Sequence, residues 1–207
     1  MEQKHMIISI GRQCGSGGHE IGEKLAERYG IKLYDRNIIN MMAEQTNSDP
    51  ETVAKMEEKR DSLFGSRKGG FADKEKDLMN RFSKADDLFR QERAMIRNLA
   101  EKESFVIIGR GANALLEGNP DVLRIFVYAP ESFRIARAKE DFRLEFDSEA
   151  KKKIESVDKG RREYFEYYTG KTWGDIDHHD ISIDSSLLGI DGTVEILSAI
   201  IDKKFGL

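Results

Sequence analysis

The residues best suited to chemistry in this chain are a run of glycines near its start and the arginines that follow it. The run is Gly11-Arg12-Gln13-Cys14-Gly15-Ser16-Gly17-Gly18-His19-Glu20. Glycines let the backbone curl with its N–H groups turned inward, and a helix starting there adds unpaired donors and the positive end of its dipole. The natural occupant of such a loop is a phosphate. A phosphoryl group in transfer is stabilised chiefly by position and positive charge, so cations must gather around the loop. Arg12, Arg36, Arg93, Arg110, Arg137, Arg161 and Arg162 can supply them. Taken singly, each reads as a solvated surface arginine except Arg110, which stands between Gly109 and Gly111 directly after an apolar run.

The phosphate-loop pattern GxxxxGK followed by Ser or Thr fits in part. With Gly17 as its second glycine, Arg12 stands at the first glycine, Gly18 at the lysine and His19 at the hydroxyl residue. A dinucleotide loop is the competing pattern, since Gly15-Ser16-Gly17 opens a GxGxxG-like run and Asp35 follows about twenty residues on, where a ribose-binding acid belongs. Glu20 occupies its third glycine position. Asp35 has a bland reading too, as the N-cap of the next helix. Asp158 and Arg161, three apart, read either as a surface ion pair or as part of a lid carrying Arg161 or Arg162 over the phosphates.

Other conspicuous residues read as structure. Cys14 is the sole cysteine, which excludes an internal disulfide and a thiolate metal cluster, and it reads as a small residue at a crowded turn. The adjacent His178 and His179, in a strand-like segment, point apart and do not share a metal. Trp173, Tyr164, Phe165, Tyr167 and Tyr168 read as packing for a lid helix.

These residues need a frame, and the hydrophobic pattern describes one. Met6 to Ile10 is an apolar strand ending in the glycine run, and Ile21, Leu25, Ala26 and Tyr29 mark a helix that Gly30 stops. Residues 31–35 form a second short strand, and residues 104–108, 122–129 and 180–184 form a third, fourth and fifth. Helical patterns cover residues 37–46, a start at 48–51, 86–102, the stretch after Pro130, 147–168 and 192–204, while 64–76 reads as a polar, glycine-bearing connection. Strands alternating with helices predict a mainly parallel five-stranded sheet with helices on both faces. Residues 36–102 contain no convincing strand and read as a helical insert over the ligand edge.

Composition narrows the class. At 207 residues the chain is one large domain or a domain with an insert. With 35% charged residues and no apolar run long enough to span a bilayer, no membrane role is expected. Met-Glu-Gln-Lys-His leads straight into the first strand without the regions of a signal peptide, so a cytoplasmic protein is expected. A net charge of −4 argues against a general nucleic-acid binder.

The ordered motifs resemble the cytidylate kinase-like family, a branch of the nucleoside monophosphate kinases within the P-loop kinases. The resemblance rests on residues 8–22, on Tyr34-Asp35-Arg36, on Ile108-Gly109-Arg110-Gly111-Ala112, on Asp158-Lys159-Gly160-Arg161-Arg162-Glu163-Tyr164 and on residues 180–186. It implies a single α/β domain of the three-layer P-loop kinase-like fold over residues 1–207, with an acceptor-binding insert at 36–102 and a lid at about 143–170. It further implies ATP and Mg²⁺ as cofactors and a nucleoside monophosphate such as CMP or dCMP as small-molecule partner. Gly15, Ser16, Gly17, Gly18, His19 and Glu20, with Arg12, fall on the ATP side; Asp35, Arg36, Arg93 and Arg110 on the acceptor side; Arg161, Arg162 and Asp158 at the transferring group. No residue is assigned to the metal. Against the family pattern, Gly18 and His19 replace a lysine and a hydroxyl residue, and Gly111 follows Arg110 where cytidylate kinases carry Asp. A kinase is the leading reading. A regulatory nucleotide binder of the same fold, motivated by the missing lysine, and a dinucleotide-binding oxidoreductase stay open beside it, as does homo-oligomerisation.

Overall fold

The computed structural model describes residues 5–35, 38 and 74–207, of which 74–85 and 88 are described in backbone only. Arg36, the helical patterns at 37–46 and 48–51, and the connection up to residue 73 lie outside the described residues, Ile38 apart.

Strands β1 (Ile7–Arg12), β2 (Lys32–Tyr34), β3 (Phe105–Ile108), β4 (Val122–Tyr128) and β5 (Ile181–Asp184) pair in parallel in the order β2-β3-β1-β4-β5. The apolar runs of β1, β3 and β4 follow from this placement, because a strand inside a parallel sheet is covered on both faces. Here β3 inserts between β1 and β2. The classic dinucleotide-binding fold instead runs 3-2-1-4-5-6, an order the described strands do not follow.

The α-helices with described bounds are α1 (Gly18–Tyr29), α2 (Lys74–Ala100), α3 (Ala112–Leu115), α4 (Glu131–Phe142), α5 (Asp147–Thr169) and α6 (Gly189–Phe205), and one 3-10 turn covers Ile176–His178. One core joins Ile8, Ile10, Val106, Ile108, Leu123, Ile125 and Val127 of the sheet to Ile21 and Leu25 of α1 and Leu197 and Ile201 of α6. A second, smaller cluster holds Cys14 against Ala138, Ala150 and Ile154 of α4 and α5. The cysteine's bland reading thus matches its surroundings.

Three boundaries differ from the sequence pattern. Helix α2 begins at Lys74, inside the stretch read as a connection. Helix α3 gives no sequence signal, because four residues are too few to show a helical period. Helix α6 begins at Gly189 rather than Gly192, two glycines in its first turn hiding its start.

The chain divides into two compact units, one of residues 1–35 with 100–207, the other of residues 36–99. The sheet and its glycine loops belong to the first. Within it, β1 and β3 are neighbours, and Gly109 N–H donates to the Ile10 carbonyl at 2.9 Å, so the loops that leave these strands lie side by side at the carboxyl edge.

Candidate active site

The loop after β1 is held from several sides. Gly15 (φ +75°) and Gly17 (φ +74°) are left-handed, and Gly17 is the N-cap of α1. The Ser16 hydroxyl donates to the Gln13 carbonyl at 2.9 Å and the Val127 carbonyl at 3.1 Å, and Ser185 Oγ donates to the Ser16 carbonyl at 2.6 Å. The end of β4 and the turn after β5 therefore brace the loop. A side chain at Gly15 would meet the Arg134 carbonyl, and one at Gly17 would meet Ile190, so the cradle needs bare Cα atoms on that side. In front of it lies a cavity of about 420 Å³ bordered by Arg12, Gly15, Gly17, Gly18, His19, Glu20, Arg137 and Arg161.

From α5, Asp158 reaches into this loop. Its Oδ1 accepts from Cys14 N–H at 2.7 Å and its Oδ2 from Arg134 Nη1 at 2.6 Å, while Arg161 Nη1 lies 3.7 Å away. Arg161 Nη1 also donates to the Arg12 carbonyl at 3.2 Å. The i,i+3 pair read from the sequence thus exists, but Arg134 is the closer partner. Sequence reasoning misses Arg134; its position one turn into α4, after Pro130, is the available signal. Arg137, on the same helix, pairs with Glu20 at 2.8 Å. Burial pushes the Cys14 thiol up, with Arg161 pulling against it, which keeps it protonated and unsuited to nucleophilic work.

The loop after β3 is left-handed at three successive residues, Gly109 (φ +74°), Arg110 (φ +59°) and Gly111 (φ +64°). A side-chain-bearing residue in that region costs on the order of 1 kcal/mol, and such strain clusters at functional sites. Arg110 borders a second cavity of about 50 Å³ together with Arg12, Arg161, Tyr164, Trp173 and His179. Arg12 and Arg161 line both cavities. His179 Nδ1 lies 2.8 Å from the Asp175 carbonyl, which can only accept, so that nitrogen carries the proton and Nε2 accepts from Asn113 Nδ2 at 3.1 Å. Burial lowers the His179 pKa, consistent with a neutral ring. The sequence holds no signal for this pairing across 66 residues.

Ser16 is fully buried and its hydroxyl is committed to the protein. His19 borders the larger cavity, with Nε2 3.0 Å from Asp35 Oδ2 and Nδ1 3.5 Å from Glu23. Arg162 stacks over Trp173 at 5.7 Å. Arg93 belongs to the other unit, where it lies 5.2 Å over the Phe89 ring. Among the described residues no three His, Cys, Asp or Glu side chains gather as a metal site, and no helix is long and apolar enough to cross a membrane.

The sequence profile of the cytidylate kinase-like family matches residues 7–187. A cytidylate kinase from Methanopyrus kandleri is 28% identical over 206 residues, covering 95% of this chain and 93% of its own. One from Methanosarcina mazei is 26% identical over 203 residues, covering 97% and 99%. Among solved structures, an uncharacterized protein from Eubacterium ventriosum superposes with a TM-score of 0.70 at 28% identity, over 96% of this chain and 99% of that one. A shikimate kinase from Bacteroides thetaiotaomicron shares the fold, with a TM-score of 0.53 at 14% identity over 95% and 98% of the two chains.

Proposed function

Because the chain belongs to the cytidylate kinase-like family and is a phosphotransferase of the P-loop kinase fold, we propose that it moves the γ-phosphoryl group of ATP to a nucleoside monophosphate of the CMP or dCMP class. One observation carries the reading: Arg12 and Arg161 border both the glycine-loop cavity and the Arg110 cavity. Two anionic ligands held in those cavities would share these guanidinium groups, which is the arrangement an in-line transfer needs.

The residues present suit the donor and its metal. The α1 N-terminus, Arg137 and Arg161, which border the larger cavity, offer charge and hydrogen bonds to a polyphosphate. Mg²⁺ needs only one or two carboxylates besides phosphate oxygens, and Glu20, Glu23 and Asp141 border the same cavity. When bound, the metal supplies neutralising charge to the phosphates. On the acceptor side Arg110 orients the monophosphate. Residues 36–102 serve acceptor binding, and residues from about 143 to 170 act as the lid whose Asp158 ties Arg134 and Cys14 N–H together.

The test is ADP formation from ATP-Mg²⁺ with CMP, dCMP, UMP, AMP and GMP in turn, with Arg110→Ala alongside. Acceptor-dependent ADP that falls about a hundredfold or more in the variant is expected, the scale of losing one charge stabiliser. No stimulation by any of the five would refute the nucleotide acceptor.

A further inference from the structure

The lysine missing from the glycine loop has a steric explanation. Gly18, at the lysine position, is the first residue of α1 and is not among the left-handed glycines, so its backbone would accept any side chain. Space is what forbids one. A Cβ on residue 18 would lie 2.5 Å from Arg12 Cβ, closer than such carbons approach, and in a tight 3.0 Å contact with Arg12 Cγ. The stem of Arg12 therefore fills the volume through which a lysine at position 18 would leave the backbone. Further out, a Cβ at Gly109 would run into Arg12 Nη1, so the guanidinium lies across the loop after β3. Its backbone is anchored as the last residue of β1, opposite Val127 of β4, and its carbonyl accepts from Arg161.

We infer that Arg12 carries the phosphate-bridging charge that a lysine carries in other loops of this type, and that Gly18 is the gap that admits it. This rests on the kinase reading above. The cation has moved from the first turn of the helix to the end of the strand, where it faces both the donor and the acceptor cavity. A group directed at the outermost phosphate distinguishes ATP from ADP, whereas a merely structural arginine does not.

The experiment measures ATP and ADP affinity by titration calorimetry, with Mg²⁺ and no acceptor, for four proteins: the wild type, Arg12→Met, Gly18→Lys, and Arg12→Gly combined with Gly18→Lys. Methionine keeps the apolar stem and removes the charge. Glycine at 12 is required in the double variant because even an alanine Cβ there would collide with the Cβ of the introduced lysine. Arg12→Met should lower the ATP-to-ADP affinity ratio about tenfold or more while keeping its melting temperature within a few degrees. Gly18→Lys alone should melt lower than the wild type, and the double variant should recover both the melting temperature and part of the ratio. A folded Arg12→Met with an unchanged ratio would overturn the inference, as would a Gly18→Lys protein as stable as the wild type. Wild-type protein that binds neither nucleotide would instead remove the kinase reading itself, and this inference with it.

Discussion

Replacing Asp158 by Asn tests whether α5 holds the glycine loop through a buried charge. Asn is nearly isosteric, and its Oδ1 still accepts from Cys14 N–H. On the other side, an amide NH₂ would face Arg134 Nη1 across the present 2.6 Å, donor against donor. The Arg134 side chain is 14% exposed and that of Asp158 is 11% exposed, and without the carboxylate Nη1 keeps only the Cys14 carbonyl at 3.4 Å, so the guanidinium gains little from its surroundings. Breaking a buried pair on one side costs about 3–5 kcal/mol. Partial access puts this pair at the lower end, near 3 kcal/mol. With an unfolding entropy of roughly 2.1 cal/mol/K per residue, that cost lowers the melting temperature by about 7 °C. Differential scanning calorimetry of the wild type, Asp158→Asn, Arg134→Met and the double variant measures it. The double variant should lose about 2 kcal/mol less than the two single losses added together, because it no longer buries a cation deprived of its carboxylate. A drop below about 2 °C for Asp158→Asn, or simple additivity, would refute the clamp.

Two further outcomes follow from the same geometry. The folded His179 pKa lies below its ordinary 6.5, chiefly through burial, so the unfolded chain takes up a proton first as the pH falls. The stability held there is complete above about pH 6.5 and declines as the pH drops toward the folded value, so the melting-temperature gap between wild type and His179→Gln should shrink from about pH 7.5 to about pH 5.5; a constant or widening gap would contradict the buried neutral ring. Gly15→Ala and Gly30→Ala separate backbone strain from collision: both glycines are left-handed, but only at Gly15 would the new Cβ meet a backbone atom, the Arg134 carbonyl at 2.5 Å. Gly30→Ala should cost about 1 kcal/mol and Gly15→Ala at least about 2 kcal/mol in urea unfolding; equal losses would show that the loop can move away from α4.

Read alone, the amino-acid chain dictates what is local. A run such as Phe105 to Ile108 declares a covered strand because burial on both faces leaves no polar position, and Gly30 ends α1 because a left-handed residue closes a helix cheaply. Arg110 is conspicuous for the same reason, its two flanking glycines announcing an unusual backbone. Which loops meet is settled only in the folded molecule. That β3 lies between β1 and β2 is a matter of pairing, invisible in any one strand's pattern, and it is what sets the Arg110 loop beside the glycine loop. Spacing pairs Asp158 with Arg161, its sequence neighbour, yet its nearest partners are Cys14 N–H, 144 residues away, and Arg134, 24 residues away. By motif alone Gly18 is a lysine lost. Only the packing of Arg12 against it shows a volume already taken, since periodicity reports what a residue does along its own element and excluded volume depends on what the fold brings alongside.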